Sequence, residues 1–105
     1  MSTDPSPLSV YSRPTRAPRV VAETHCFAVR AMVGPGILPR ILELFAKRNL
    51  VPTKWHSVVV GTDQDELQID LQMEGIDSEL AAYIARCLRQ IYGVDSVLTT
   101  TKTAG

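Results

Sequence analysis

Few side chains in this sequence are of types that do chemistry, and they are dispersed. His25, His56, Cys26 and Cys87 fall on different stretches of the 105 residues. No nucleophile, base and acid converge, and no metal-ligand spacing appears. A histidine on a half-buried strand is more often a satisfied structural residue than a base or a ligand. The side chains thus point to no catalytic residue, no metal and no cofactor. What stands out instead is a backbone pattern. The stretch MVGPGILPRILELF, residues 32–45, opens with Gly34-Pro35-Gly36 and places Pro39 three residues later. Ile37, Leu38, Ile41, Leu42, Leu44 and Phe45 nevertheless keep the spacing of one apolar helical face.

That punctuation fits a helix start. The first four N–H groups of a helix have no intrahelical partner, so Pro39 in third position removes no hydrogen bond. Gly34 and Gly36 let the chain turn sharply without a Cβ clash. The turn leaves free N–H groups near residues 36 to 38 at the positive end of the helix dipole, where a carboxylate is a natural guest. A purely structural tight turn accounts for the same residues equally well.

The elements around the turn follow from hydrophobic period. His25 to Val33 reads as a strand, with Phe27, Val29, Ala31 and Val33 on one face and Cys26, Ala28, Arg30 and Met32 on the other. A helix follows from Ile37 to Arg48, with Asn49 as a stop signal. Thr53 to Val60 is β-rich, and Gly61 to Asp65 supply turn residues. In ELQIDLQME, Leu67, Ile69, Leu71 and Met73 alternate with Gln68, Asp70 and Gln72, as in a strand with one wet face. Asp77 can cap a second helix whose inward stripe is Leu80, Ile84, Leu88 and Ile91, with Gly93 as its C-terminal glycine. VDSVLTTT, residues 94–101, is a final strand.

The order strand, helix, strand, strand, helix, strand predicts an α+β fold, the ferredoxin-like βαββαβ sandwich. Its four-stranded antiparallel sheet carries two helices on one face. Arg30 and Asp70 are then expected on the open face as a cross-strand pair. Trp55 reads as partial core, or as an interface marker if its strand is an exposed edge.

Composition bounds the function. Residues 1–22 hold four of the seven prolines and the arginines Arg13, Arg16 and Arg19, and read as a disordered tail. Residues 23–103 read as one domain, small enough for self-association to aid stability. Eleven basic and eleven acidic residues give a formal net charge of +0 and no general pull toward nucleic acid. No apolar run approaches the roughly 20 residues of a membrane span. No secretory signal is visible, and two cysteines read as buried reduced thiols, so the expected compartment is the cytoplasm.

Gly34-Pro35-Gly36-Ile37-Leu38, with Arg40-Ile41, Leu44-Phe45 and Lys47-Arg48-Asn49-Leu50, resembles the signature of the ACT domain, in which a Pro-Gly-x-Leu turn opens helix 1. The resemblance spans about residues 24–102. It implies a non-catalytic regulatory module that binds an amino acid at an interface between paired domains. The partners implied are a second copy (a homodimer or larger), a small amino-acid effector and a catalytic enzyme subunit. The single-domain size also resembles the short regulatory small subunits of acetolactate synthase, which serve branched-chain amino-acid synthesis. A free-standing amino-acid sensor acting on another enzyme is the alternative. The implied ligand-binding residues are Val33, Gly34, Pro35, Gly36, Ile37 and Leu38. At Val33 the family usually has Asn or Asp, and an isopropyl group neither accepts from an ammonium nor donates to a carboxylate. The implied site is therefore mainly backbone.

Two other uses of this fold fit less well. An RNA-binding module would show stacking aromatics on the open faces of strands 1 and 3, and strand 3 has none. An acylphosphatase-like enzyme would carry an arginine in the turn and an asparagine on the next strand, and the turn itself contains no arginine.

Overall fold

A computed structural model describes residues 23–103. The expected tail, with Arg13, Arg16 and Arg19, lies outside the described residues. Six elements follow one another: β1 (Glu23–Met32), α1 (Ile37–Ala46), β2 (Lys54–Val60), β3 (Glu66–Glu74), α2 (Ser78–Arg89) and β4 (Val94–Thr103). The strands form one antiparallel sheet in the order β2-β3-β1-β4, with both helices packed on one face. This is the ferredoxin-like sandwich that the sequence predicts.

The core forms where strand and helix periods meet. Phe27, Val29 and Ala31 from β1 and Leu67, Ile69, Leu71 and Met73 from β3 point to the helices. Ile37, Ile41 and Phe45 of α1 and Ala81, Ile84, Ala85 and Leu88 of α2 close over them. Leu80 and Ile91 are only half-buried at the edge of this cluster, and Trp55 packs against it as partial core. Leu42 departs from its assignment to the apolar face of α1: it is 47% exposed, because it lies about 100° round the helix from Ile41, off the stripe that Ile37, Ile41 and Phe45 bury.

Both helix ends are built by local bonds. The Asp77 side chain accepts from the Leu80 amide at 2.8 Å, capping α2 as expected. At the end of α1, Asn49 adopts φ +61°, while the Asn49 amide reaches the Ala46 carbonyl and the Leu50 amide the Phe45 carbonyl. That pair of bonds is a Schellman closure with asparagine in the left-handed position. The regular helix stops at Ala46, and the capping bonds carry the chain on to Asn49.

Three sequence expectations change. β1 ends at Met32, so Val33 does not join Phe27, Val29 and Ala31 on the core face but stands 45% exposed. Gly93 is not the C-terminal glycine of α2. It lies in the next turn, where the Val94 amide donates to the Ile91 carbonyl and φ is +96°. The third position of such a turn favours glycine. Finally, Arg30 does not pair with Asp70. Gln68 is its direct neighbour across the sheet, which leaves Glu66 and Asp70 on the two diagonals, and Arg30 pairs with Glu66. Sheet twist makes the two diagonals unequal, and glutamate reaches one methylene further. The Arg30 hydrogen bond holds the Glu66 carboxyl below its ordinary pKa of 4.5.

Candidate functional site

The turn between β1 and α1 is held by few bonds. The Met32 amide donates to the Gly93 carbonyl at 2.8 Å, which ties the end of β1 to the α2–β4 turn. The Ile37 amide donates to the Gly34 carbonyl and the Arg40 amide to the Gly36 carbonyl, each at 3.3 Å. Among the described residues the Leu38 amide makes no backbone bond, and Pro39, third in the helix, has none to make. Gly36 is the N-cap and supplies no side chain, and the first turn of α1 holds no acidic residue. The positive end of this helix is therefore neutralised by nothing local.

The glycines behave differently from the expectation that they relieve a clash. Neither Gly34 nor Gly36 has a positive φ. A Cβ on Gly34 would meet nothing nearer than Ile37 Cγ1 at 3.9 Å, and one on Gly36 nothing nearer than Arg40 Cζ at 4.0 Å. Both are ordinary contacts, so the turn would accommodate alanine at either position. What glycine leaves here is open space on the outside of the backbone, beside the helix start.

The six residues singled out from sequence are contiguous but differ in exposure. Val33, Pro35 and Gly36 are exposed, Gly34 and Leu38 are half-buried, and Ile37 is buried in the core. Ile37 can offer its backbone only, since its side chain holds the helix to the sheet. Tyr92, 79% exposed, and Met32, 46% exposed, flank the paired Met32 and Gly93 backbones and give this end of the molecule an apolar rim.

Sequence reasoning overlooked one side chain. Arg40 is exposed, and its guanidinium carbon stands 4.0 Å from the Cβ position of Gly36. The signal was present in the spacing, because residues four apart share a helix face and helical side chains lean toward the N-terminus. The arrangement can receive a small anion: amide groups at a helix start, a guanidinium alongside, and no side chain between. Arg40 also bears on the acylphosphatase reading, but β2, Lys54–Val60, carries no asparagine.

The other chemistry-bearing residues do not join the turn. His25 is buried, with Thr101 Oγ1 3.3 Å from Nδ1 and Glu23 Oε1 3.5 Å from Nε2; Nε2 has no hydrogen bond among the described residues. His56 is exposed on β2. Cys26 and Cys87 are free and half-buried rather than buried. Cys87 Sγ lies 4.0 Å from a guanidinium nitrogen of Arg48, which also donates to the Tyr83 hydroxyl at 2.9 Å. These contacts tie α2 to the end of α1. Among the described residues, no group of three His, Cys, Asp or Glu side chains could hold a metal ion, and no helix is long and apolar enough to cross a membrane.

Comparison with known proteins bears on the whole unit. A family model described as an ACT-like domain matches residues 20–104. Among solved structures, the chain is similar to the ACT domain from GTP pyrophosphokinase of Chlorobium tepidum, at 13% identity and TM-score 0.61, over 73% of this chain and 96% of that one. It is similar to the C-terminal domain of the MgtC protein from Mycobacterium tuberculosis, at 10% identity and TM-score 0.60, over 76% and 87%. It is also similar to the regulatory subunit of aspartate kinase from Thermus flavus, at 15% identity and TM-score 0.58, over 82% and 59%. At these identities the likeness is one of fold. No protein with a curated description matches the chain.

Proposed function

This chain belongs to the ACT-like domain family, and from that membership we propose that it is a regulatory module which takes a small amino acid at the turn Val33–Leu38. The observation that carries the reading is the pair of glycines, Gly34 and Gly36. Neither their φ angles nor their neighbours require glycine, yet they leave the start of α1 open to an approaching group. The ligand carboxylate meets the amides near Gly36 and Leu38, with Arg40 as its charged partner. Val33, Met32 and Tyr92 offer the rest of the ligand apolar contact rather than a hydrogen bond, which suits a branched aliphatic side chain.

A second copy completes this unit. β2 is an edge strand with Val58 and Val59 exposed by 40% and 44%, a surface that pairing with another strand would cover. The other edge, β4, is partly engaged already, since Arg89 of α2 reaches over to the Val97 carbonyl at 2.8 Å. An effector at a boundary between copies can favour one arrangement over another by as much as its affinities for the two differ.

The specific enzyme proposed is acetolactate synthase, with this chain as its small subunit acting in the cytoplasm. The apolar rim beside the turn, formed by Met32, Val33 and Tyr92, supports that choice. The test adds the protein to the acetolactate synthase catalytic subunit of the same cell, with and without valine, leucine or isoleucine. A change in acetolactate formation is expected. No change in any condition removes the specific enzyme and leaves a sensor for another one.

A further inference from the structure

The sheet has a second face, which the helices do not cover, and it is not flat. Its central strand β1 presents the small side chains of Cys26 and Ala28 there, while the flanking strands carry longer ones. Lys54 and His56 rise from β2 on one side, and Leu98 and Lys102 from β4 on the other. The result is a trough of about 560 Å³ lined by these residues together with Asp70. That volume lies within the range of small-molecule sites, roughly 300–1,000 Å³.

We propose that this trough is a second binding site, distinct from the glycine turn, for an amphipathic monoanion: a carboxylate on an apolar body. The apolar body lies on Ala28 and against Leu98, a leucine left 67% exposed on the wall. The carboxylate lies toward the end where Lys54 and Lys102 stand on opposite walls, on strands about 14 Å apart across the sheet. Neither lysine is in an ion pair among the described residues, where Arg30 pairs with Glu66 and Lys47 with Glu43. Two lysines against the single carboxylate of Asp70 leave the lining one positive charge in excess, which favours one negative charge in the trough. Asp70 lies on the floor one row along, opposite His56 on β2, and sets the limit on charge. A dianion such as phosphate would be repelled there, whereas a neutral hydrocarbon body passes over it.

The site is tested on the full-length chain with octanoate as the probe, followed by backbone amide shifts in NMR. Saturable shifts are expected at Ala28, Asp70 and Leu98. Octanol, which has the same body without charge, and inorganic phosphate, which has charge without the body, should each bind at least tenfold more weakly. The Lys54→Gln/Lys102→Gln variant changes only exposed positions and should lose at least tenfold in octanoate affinity with its amide spectrum otherwise preserved. Cys26 gives an independent readout: in a Cys87→Ser background, octanoate should slow its reaction with an aromatic disulfide. The proposal is overturned if octanoate gives no saturable shift at millimolar concentration, if octanol or phosphate binds as well, or if the lysine variant responds unchanged. Shifts centred on Gly34–Leu38 overturn it too, as does a trough already covered by a second copy, seen as concentration-dependent signals at Ala28 and Leu98.

Discussion

Gly93 and Ile37 stand so close that one methyl group on the glycine would lie 2.8 Å from Ile37 Cδ1. The turn before β4 is thereby packed into the start of α1, and the Gly93 carbonyl holds the last amide of β1. Gly93→Ala meets both a positive φ and a clash, so it should lower stability by roughly 2–3 kcal/mol. Gly36→Ala meets neither and should change stability by less than about 1 kcal/mol, in the stabilising direction if either. Urea denaturation of the two variants checks this contrast, and equal costs would contradict the turn geometry.

Ligand binding should follow a different order. A Cβ at position 36 occupies the space where a carboxylate approaches, and Arg40→Gln removes the adjacent charge. Calorimetry with valine or leucine should show Gly36→Val without measurable binding and Arg40→Gln weakened about tenfold, on the order of 1.4 kcal/mol. A Gly36→Val variant that binds at full affinity places the ligand elsewhere.

The pairing of Arg30 with Glu66 sets a pH dependence. Because the folded carboxyl is held below its unfolded value, the pair adds stability above about pH 4.5 and loses it as pH falls through the lower, folded value. Glu66 is solvent-accessible, so the effect is small and screened by salt. An NMR titration should give Glu66 a midpoint below 4.5, and Arg30→Gln should move it up toward that value. An unchanged midpoint in the variant would mean that the pair does not form in solution.

On α1, two neighbours should separate cleanly. Ile41 is fully buried and Leu42 is 47% exposed. Ile41→Ala should cost about 2–5 kcal/mol and Leu42→Ala under about 1 kcal/mol, measured by thermal or urea unfolding. A large cost at Leu42 would instead mean that a second copy covers it.

Association through β2 is checked by light scattering at tens of micromolar. The wild-type chain should run as a dimer or larger, and Val58→Lys/Val59→Lys should be monomeric, since charged residues on an edge strand oppose strand addition. A wild-type monomer would count against the interface, and a variant that stays dimeric would move it to another surface.

The sequence by itself determined the elements and their order, because period 2 in ELQIDLQME and the 3.6-residue spacing of Ile37, Ile41 and Phe45 are local signals that burial on one face imposes. The caps were legible for the same reason: Asp77 and Asn49 act on amides and carbonyls within a few residues of themselves. Pro39 could be placed as the third helical residue from spacing alone. What depended on neighbours distant in sequence did not show. Which diagonal Arg30 would choose rested on the twist and register of β1 against β3. The role of Gly93 rested on Ile37 and Met32, more than fifty residues away in sequence. The indifference of Gly34 and Gly36 to their own surroundings rested on the space around them, which only the folded chain defines. The trough exists because four strands set small residues beside long ones in rows that cross the sheet. A sequence read along the chain shows each strand but not the rows, since register is fixed only when the strands pair.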